Sequence, residues 1–305
     1  MKLTEIKNWL INLISHTAKK TKMNDFAIEK EYIIFYFLNV LYKNINNFKV
    51  LPFLYLNWNT SINKLYFKEF FESEKINFTI NNEILKKVNI NDISEYLYTE
   101  LEQIINLLNK NNEEIWFNFY LKKETNNLKN KLIYKLWYNS ILDKNLKKEI
   151  TIEINFKTII YKPTEKKWRK YFFLYNWLPI FEFWDIHIKS ISIYEIISDL
   201  FLSIKKEKKI TNMLSLIYLI NNLWKNINKI IFDNNFIQWI LMKKINLEED
   251  KSFLNKNIEL YFSKEKQIID KKINLIINNK NSLNYRNLNI LIKFLNEYFE
   301  KILEN

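Results

Sequence analysis

A chain of 305 residues that is 48% apolar can bury one large core or two smaller ones, and its 47 Lys and Arg against 34 Asp and Glu leave a charge of +13, which suits a polyanion such as RNA or an acidic membrane surface. The absence of Gly excludes the usual phosphate-binding loop, dinucleotide fingerprint and nucleophile elbow, because each brings backbone where a Cβ would clash. The absence of Cys removes disulfides, thiolate metal sites and thiol nucleophiles, and His16 and His187 are too few for a histidine-based zinc site.

Helical spacing dominates residues 1–110. The N-terminal stretch places Leu3, Ile6, Leu10, Leu13 and Ile14 on one helical face with Trp9 at its edge. It carries Glu5 and lacks Arg, unlike a transit peptide, and so reads as a retained structural helix. A second helix, near 25–45, is apolar all round its middle and is expected to be buried. Its apolar run at 32–38 breaks at Asn39 and Lys43, well short of the roughly 20 residues a spanning helix needs. The run at 213–220 fails the same test, so no transmembrane helix is expected. A third helix enters at Asn91 or Asp92, with Ile93, Leu97, Leu101, Ile104, Ile105 and Leu108 on one face and Glu95, Glu100 and Glu102 on the other.

The middle of the chain changes period. Ile150, Ile152, Ile154 and Phe156 alternate with Thr151, Glu153, Asn155 and Lys157, the pattern of a half-buried strand. Ile115, Phe117, Phe119 and Leu121 alternate less cleanly, and Trp184, Ile186 and Ile188 alternate with Asp185, His187 and Lys189. A helix over about 127–142 is expected to cross or cover the resulting antiparallel sheet, whose other face is solvated. From 192 helices return, over 192–206, 211–231 and a final one carrying Leu288, Leu291, Ile292, Leu295, Phe299 and Ile302.

Without Gly, Asn pairs punctuate the chain: Asn46-Asn47, Asn81-Asn82, Asn111-Asn112, Asn126-Asn127, Asn234-Asn235 and Asn278-Asn279. Asn tolerates the left-handed region and bonds its own backbone in turns, so these pairs mark element boundaries. The pattern predicts an α+β fold, predominantly helical, with a small, mainly antiparallel sheet in the middle third. Its regions are helical over 1–110, strand-containing with a basic loop over 111–195, and helical over 196–305.

Few residues offer chemistry. Asp185 and His187 would share a face of a strand as orienter and base, but no nucleophile or oxyanion donor stands beside them, and two polar residues on the solvated face of an edge strand are the expected reading. Glu113-Glu114 and Glu248-Glu249-Asp250 have the chemistry for Mg²⁺, yet adjacent acids commonly open solvated helices. The distinctive stretch is 159–177, where Lys162, Lys166, Lys167, Arg169 and Lys170 surround Trp168, Tyr171 and Phe172 just after the best strand, with a turn expected at Pro163. Lysines gain from counterion release on phosphate and exposed rings stack on unpaired bases, so Lys162, Lys166, Lys167, Trp168, Arg169, Lys170 and Tyr171 are the candidate RNA-binding residues. The alternative is a charged hairpin whose Trp and Phe turn into the core. Lysines at 205–209 and Lys271-Lys272 would widen a footprint. With Arg169 and Arg286 the only arginines, contacts would be to phosphates and shape rather than base edges.

Asn, Ile, Lys, Phe and Tyr have codons written almost wholly in A and T, whereas Gly, Ala and Pro need G and C, so the coding DNA is AT-rich. Nine Trp break that pattern unless TGA is also read as Trp. In this composition the chain resembles the hydrophilic, fast-diverging proteins encoded in ciliate mitochondrial genomes. The resemblance covers the whole length and assigns no functional residue. Together with the charge it implies a structural, non-enzymatic protein of a mitochondrial ribosome in the matrix. Its expected partners are ribosomal RNA and neighbouring ribosomal proteins, with no cofactor, metal or small-molecule substrate. The alternative is a soluble accessory subunit of an inner-membrane respiratory or ATP-synthase complex, its lysines facing anionic head groups. AT-rich coding also inflates Lys at the expense of acids, a source of charge that needs no partner.

Overall fold

The computed structural model describes residues 3–61, 75–85, 88–111, 117–124, 131–156, 160, 163–167, 187–207, 212–213, 215–216, 219, 235–248, 250–255 and 299. The chain divides into two compact units, Met1–Ile191 and Ser192–Asn305. The first holds α1 (Leu3–Thr21), α2 (Asp25–Asn44), β1 (Leu54–Leu56), α3 (Trp58–Ser61), β2 (Lys75–Ile80), α4 (Asn82–Leu85) and α5 (Ile90–Asn111). It continues with β3 (Phe119–Lys123), β4 (Lys131–Asn139), β5 (Lys147–Asn155), β6 (Pro163–Lys167) and β7 (His187–Ile191). The second unit holds α6 (Ile193–Glu207) and α7 (Asn235–Asn246).

The strands form one seven-stranded sheet in the order β3-β4-β5-β2-β1-β7-β6. This corrects the small, mainly antiparallel sheet expected in the middle third. The sheet is mixed, because β2 pairs with β5 and β1 with β7 in parallel while the other neighbours are antiparallel. It also draws β1 and β2 from the stretch expected to be helical. In β2, Ile76, Phe78 and Ile80 alternate with Asn77 and Thr79, and all five are buried. Burial on both faces is what parallel pairing demands, and it differs from the single solvated face expected. The helix expected over about 127–142 is β4 instead. Leu132, Tyr134, Leu136 and Tyr138 are buried in strict alternation with half-buried Lys131, Ile133, Lys135 and Trp137. The apolar Ile133 and Trp137 among the outward positions hide the period of 2, and a short apolar run is ambiguous between the two structures.

β5 follows its alternation: Ile150, Ile152 and Ile154 are fully buried, and Phe156 beyond its end is buried too. Of the two weaker strand segments, Phe119 and Leu121 fall in β3 and Ile188 in β7, while Ile115, Trp184, Asp185 and Ile186 lie outside the described residues.

The three long helices supply the other side of the core. α1 buries Leu10, Leu13 and Ile14, α5 buries Ile93, Leu97, Leu101, Ile104, Ile105 and Leu108, and α2 is buried nearly all round from Tyr32 to Tyr42. Rings join helix to sheet, with Tyr32 and Phe117 centroids 6.4 Å apart and Tyr36 and Phe119 also at 6.4 Å. Asn24 caps α2, its side-chain oxygen accepting from Ala27 N at 2.7 Å.

Asn residues do stand at boundaries, and none of the described ones takes left-handed backbone. Asn81 Oδ1 accepts from Glu83 N at the start of α4, Asn111 ends α5 and Asn235 begins α7. Among the described residues the positive φ belongs to Lys22, at 59°, just past α1. There Met23 N donates to Ala18 O at 3.2 Å, the bond of a Schellman cap, at a position where Gly is the usual residue.

One acid departs from its expected place. Glu100 stands three residues after Leu97 and four before Ile104, at the margin of the apolar stripe, and is only 6% exposed, whereas Glu95 and Glu102 are exposed. Its carboxylate accepts from Lys49 N at 2.8 Å, from Val50 N at 3.0 Å and from Leu51 N at 2.9 Å. These are the free donors ahead of the 3-10 turn Leu51–Phe53.

In the second unit Ser192 and Glu195 make a capping box: Ser192 Oγ accepts from Glu195 N at 3.2 Å, and Glu195 Oε2 accepts from Ser192 N at 3.3 Å. α6 and α7 are joined by a Lys244–Asp199 ion pair and by Ser198 Oγ donating to Ile237 O at 3.4 Å. Within the stretch expected to be helical over 211–231, Asn212, Met213, Ser215, Leu216 and Leu219 are helical, and the remainder lies outside the described residues. So does the final expected helix apart from Phe299, which is helical and buried.

Candidate nucleic-acid interface

Of the candidate RNA-binding residues, Lys166 and Lys167 fall in β6, an edge strand, opposite Ile188 and His187 of β7. Lys162, Trp168, Arg169, Lys170 and Tyr171 lie outside the described residues. Pro163 does not turn the chain but begins β6, a position where its missing N–H leaves no interior ladder bond unmade.

The other candidates separate as well. His187 is exposed, and its presumed partner Asp185 lies outside the described residues, as do Glu113, Glu114, Glu249, Lys208, Lys209, Lys271 and Lys272. Glu248 pairs with Lys206, and Asp250 binds Ser252 through its N at 2.8 Å and its Oγ at 2.9 Å. Lys205 and Lys206 lie over the rings of Phe299 and Phe253, each 5.1 Å from the centroid. These two lysines serve local packing. Among the described residues no group of three or more His, Asp or Glu could hold a metal ion, and no helix is long and apolar enough to cross a membrane.

A cationic, aromatic surface does exist in the described residues, at the opposite edge of the sheet. Six interstrand steps separate β3 from β6, roughly 29 Å at about 4.8 Å per step. Because Phe119 turns inward, Tyr120 turns outward and is 42% exposed. Strand register sets it opposite Trp137, and Trp137 opposite Glu149. The two rings lie with centroids 6.0 Å apart and planes within 3° of parallel. Lys147 Nζ stands 5.9 Å from the Tyr120 centroid. Lys122 and Lys135 pair two rows further along, on the same face.

The hairpin tip joining β4 to β5 lies beside this surface and is held by a buried acid. Glu29 of α2, fully buried, accepts from Ser140 Oγ at 2.9 Å and from Ile141 N at 2.6 Å. Burial pushes its carboxyl above the usual range, although the bonds from Ile141, Ser140 and Leu142 and the charge of Lys148 pull the other way. Lys148 lies over the exposed Phe26 ring, 4.3 Å from its centroid. Lys7 is depressed by partial burial and by the neighbouring Lys144 charge. Lys147 thus faces Tyr120 on the outward side of the sheet, whereas Lys148, opposite inward Tyr138 in register, faces Phe26 on the helix side.

Not every lysine here is spare. Lys135 Nζ contacts Glu149 at 2.8 Å and Thr151 Oγ1 at 2.9 Å, while Lys75 and Lys131 both hold Glu153. Burial alone would raise the Glu153 carboxyl, but bonds and charge from Lys131 and Lys75 outweigh it and hold it below the usual range. Lys122 and Lys147 therefore carry the surface's surplus positive charge among the described residues. Sequence reasoning passed over Tyr120, Trp137 and Lys147 because β4 read as a helix. The outward alternation of Lys131, Ile133, Lys135 and Trp137 was the signal available.

No protein-family model matches this chain, and comparison with curated proteins finds no match either.

Proposed function

We propose that this chain is a structural, RNA-contacting protein of a mitochondrial ribosome, bound to ribosomal RNA phosphates through dispersed lysines and packed among neighbouring ribosomal proteins in the matrix. The observation that carries the reading is how the fold divides its charge. Glu29, Glu100 and Glu195 are drawn inward to bind backbone N–H groups, while Lys19, Lys20, Lys22, Lys110, Lys122, Lys144 and Lys147 remain exposed. Drawing these three acids inward leaves the surface somewhat more cationic than the net charge of +13 alone, although Glu83, Asp92, Glu95, Glu102, Asp143 and Glu149 stay exposed beside the lysines. Lys binds phosphate as a point charge without reading bases, which fits a role among folded RNA rather than at one regulated sequence.

Sedimentation of the endogenous protein from a gently made mitochondrial lysate tests this. Co-migration with a ribosomal subunit, lost on ribonuclease treatment, is the expected result. Migration with an inner-membrane complex, unaffected by ribonuclease, would refute it in favour of the accessory-subunit reading. Salt gives a second measure, since release from RNA should be linear in log salt with a slope of about −0.7 per single-stranded phosphate contacted.

A further inference from the structure

We propose that the outward Tyr120–Trp137 pair is a stacking platform for an unpaired RNA base, and that Lys147 occupies the platform until RNA displaces it. This rests on the RNA reading above and adds where on the chain a base is held.

A single exposed ring on a soluble protein needs no explanation. Here two rings stand in register on adjacent strands, parallel within 3°, on the sheet face opposite Phe119, Leu136 and Tyr138. Core packing therefore does not account for them. Among the described residues an exposed lysine, Lys147, lies over the Tyr120 ring at 5.9 Å from its centroid. A base stacked on an aromatic ring is held more strongly than an exposed ammonium over the same ring, so a base takes the ring and releases Lys147. The released amine is then beside the sugar–phosphate of the bound nucleotide, where it forms a phosphate contact in place of the one lost.

The surroundings have the charge a nucleic-acid strand needs. Lys122 lies two positions along β3 from Tyr120, on the same outward face, and with Lys147 flanks the ring pair with positive charge. Glu149, next to Trp137 in register, is already neutralised by Lys135. Among the described residues no arginine stands beside the rings, and stacking reads no base edge, so the platform accepts any base rather than selecting one.

The test uses the full chain and a 12-nucleotide oligouridine containing 4-thiouridine. Crosslinks at Tyr120 or Trp137 are expected. Tyr120→Ala should lower affinity about 5- to 150-fold, the range for losing one stacked base, and Tyr120→Phe should stay within about twofold. Should Tyr120→Ala fail to fold, Tyr120→Leu keeps the bulk without the π face and must show the same loss. Lys147→Gln should reduce the magnitude of the salt slope by about 0.7. Wild-type binding with Tyr120→Ala and Tyr120→Leu unimpaired, or crosslinks confined to residues 162–171, overturns the platform and leaves the RNA reading standing. No binding of oligouridine at low salt, together with no ribosomal co-sedimentation, overturns both. Binding to anionic phospholipid vesicles but not to RNA overturns the platform in favour of a membrane surface.

Discussion

Replacing Glu100 by Ala should cost the first unit about 3–5 kcal/mol, because it strips a desolvated acceptor from three backbone donors at once. Lys49, Val50 and Leu51 donate to its two carboxylate oxygens over 2.8–3.0 Å, and no side chain at the preceding position caps the 3-10 turn in its place. Each hydrogen bond to a charged group contributes about 1.5–3 kcal/mol, but the three share one carboxylate and do not simply add. For a unit of this size the midpoint of thermal unfolding should fall by about 6–20 °C. Glu100→Gln should lie between, because an amide keeps one acceptor oxygen and sets a competing donor against the turn. Urea unfolding followed by circular dichroism measures the stability. Hydrogen exchange then asks whether the Lys49, Val50 and Leu51 amides lose protection first. An alanine variant within about 1 kcal/mol of wild type, with those amides still protected, would refute the idea that this carboxylate grips the turn.

Four further outcomes are expected. Ile152→Asp places an unpaired charge in a fully buried position of β5 and should cost more than about 4 kcal/mol; an unchanged dichroism spectrum would contradict that burial. Lys22→Gly removes a Cβ from left-handed backbone and should stabilise by about 1 kcal/mol, read as a higher urea midpoint. The two perturbed carboxyls act oppositely on pH-dependent stability. Glu153, held below 4.5, stabilises fully above that value and loses this contribution as pH falls through its folded pKa, so Glu153→Gln should flatten the acid limb. Glu29, raised above 4.5, binds its proton more tightly when folded, so stability should fall as pH rises from 4.5 through its folded pKa, a decline absent in Glu29→Gln. Finally, on the RNA reading, changing Lys166, Lys167, Arg169 and Lys170 together to Glu should reduce ribosomal co-sedimentation with little change in melting temperature; a collapse of melting temperature instead would favour the charged hairpin whose Trp and Phe turn into the core.

What sequence alone determined is what one element dictates by itself. Leu10, Leu13 and Ile14 mark the inner face of α1, Ile93 through Leu108 that of α5, and Ile150, Ile152 and Ile154 that of β5, because period and burial are local properties of a single helix or strand. Composition likewise carried the charge and the loss of glycine- and cysteine-dependent chemistry. Tertiary structure alone decided which strands are neighbours. β2 lies parallel to β5 through pairs such as Ile76 and Ile152, and nothing in either segment names the other. The same holds for the polar groups: Glu100 and Glu29 look like surface acids until the Lys49–Leu51 turn and the β4–β5 hairpin bring N–H groups that need an acceptor. Tyr120 and Trp137 become one surface only when register sets β3 against β4. Periodicity encodes a direction along one element, whereas a pair, a cap or a platform needs two elements whose meeting is set by the free energy of the whole core.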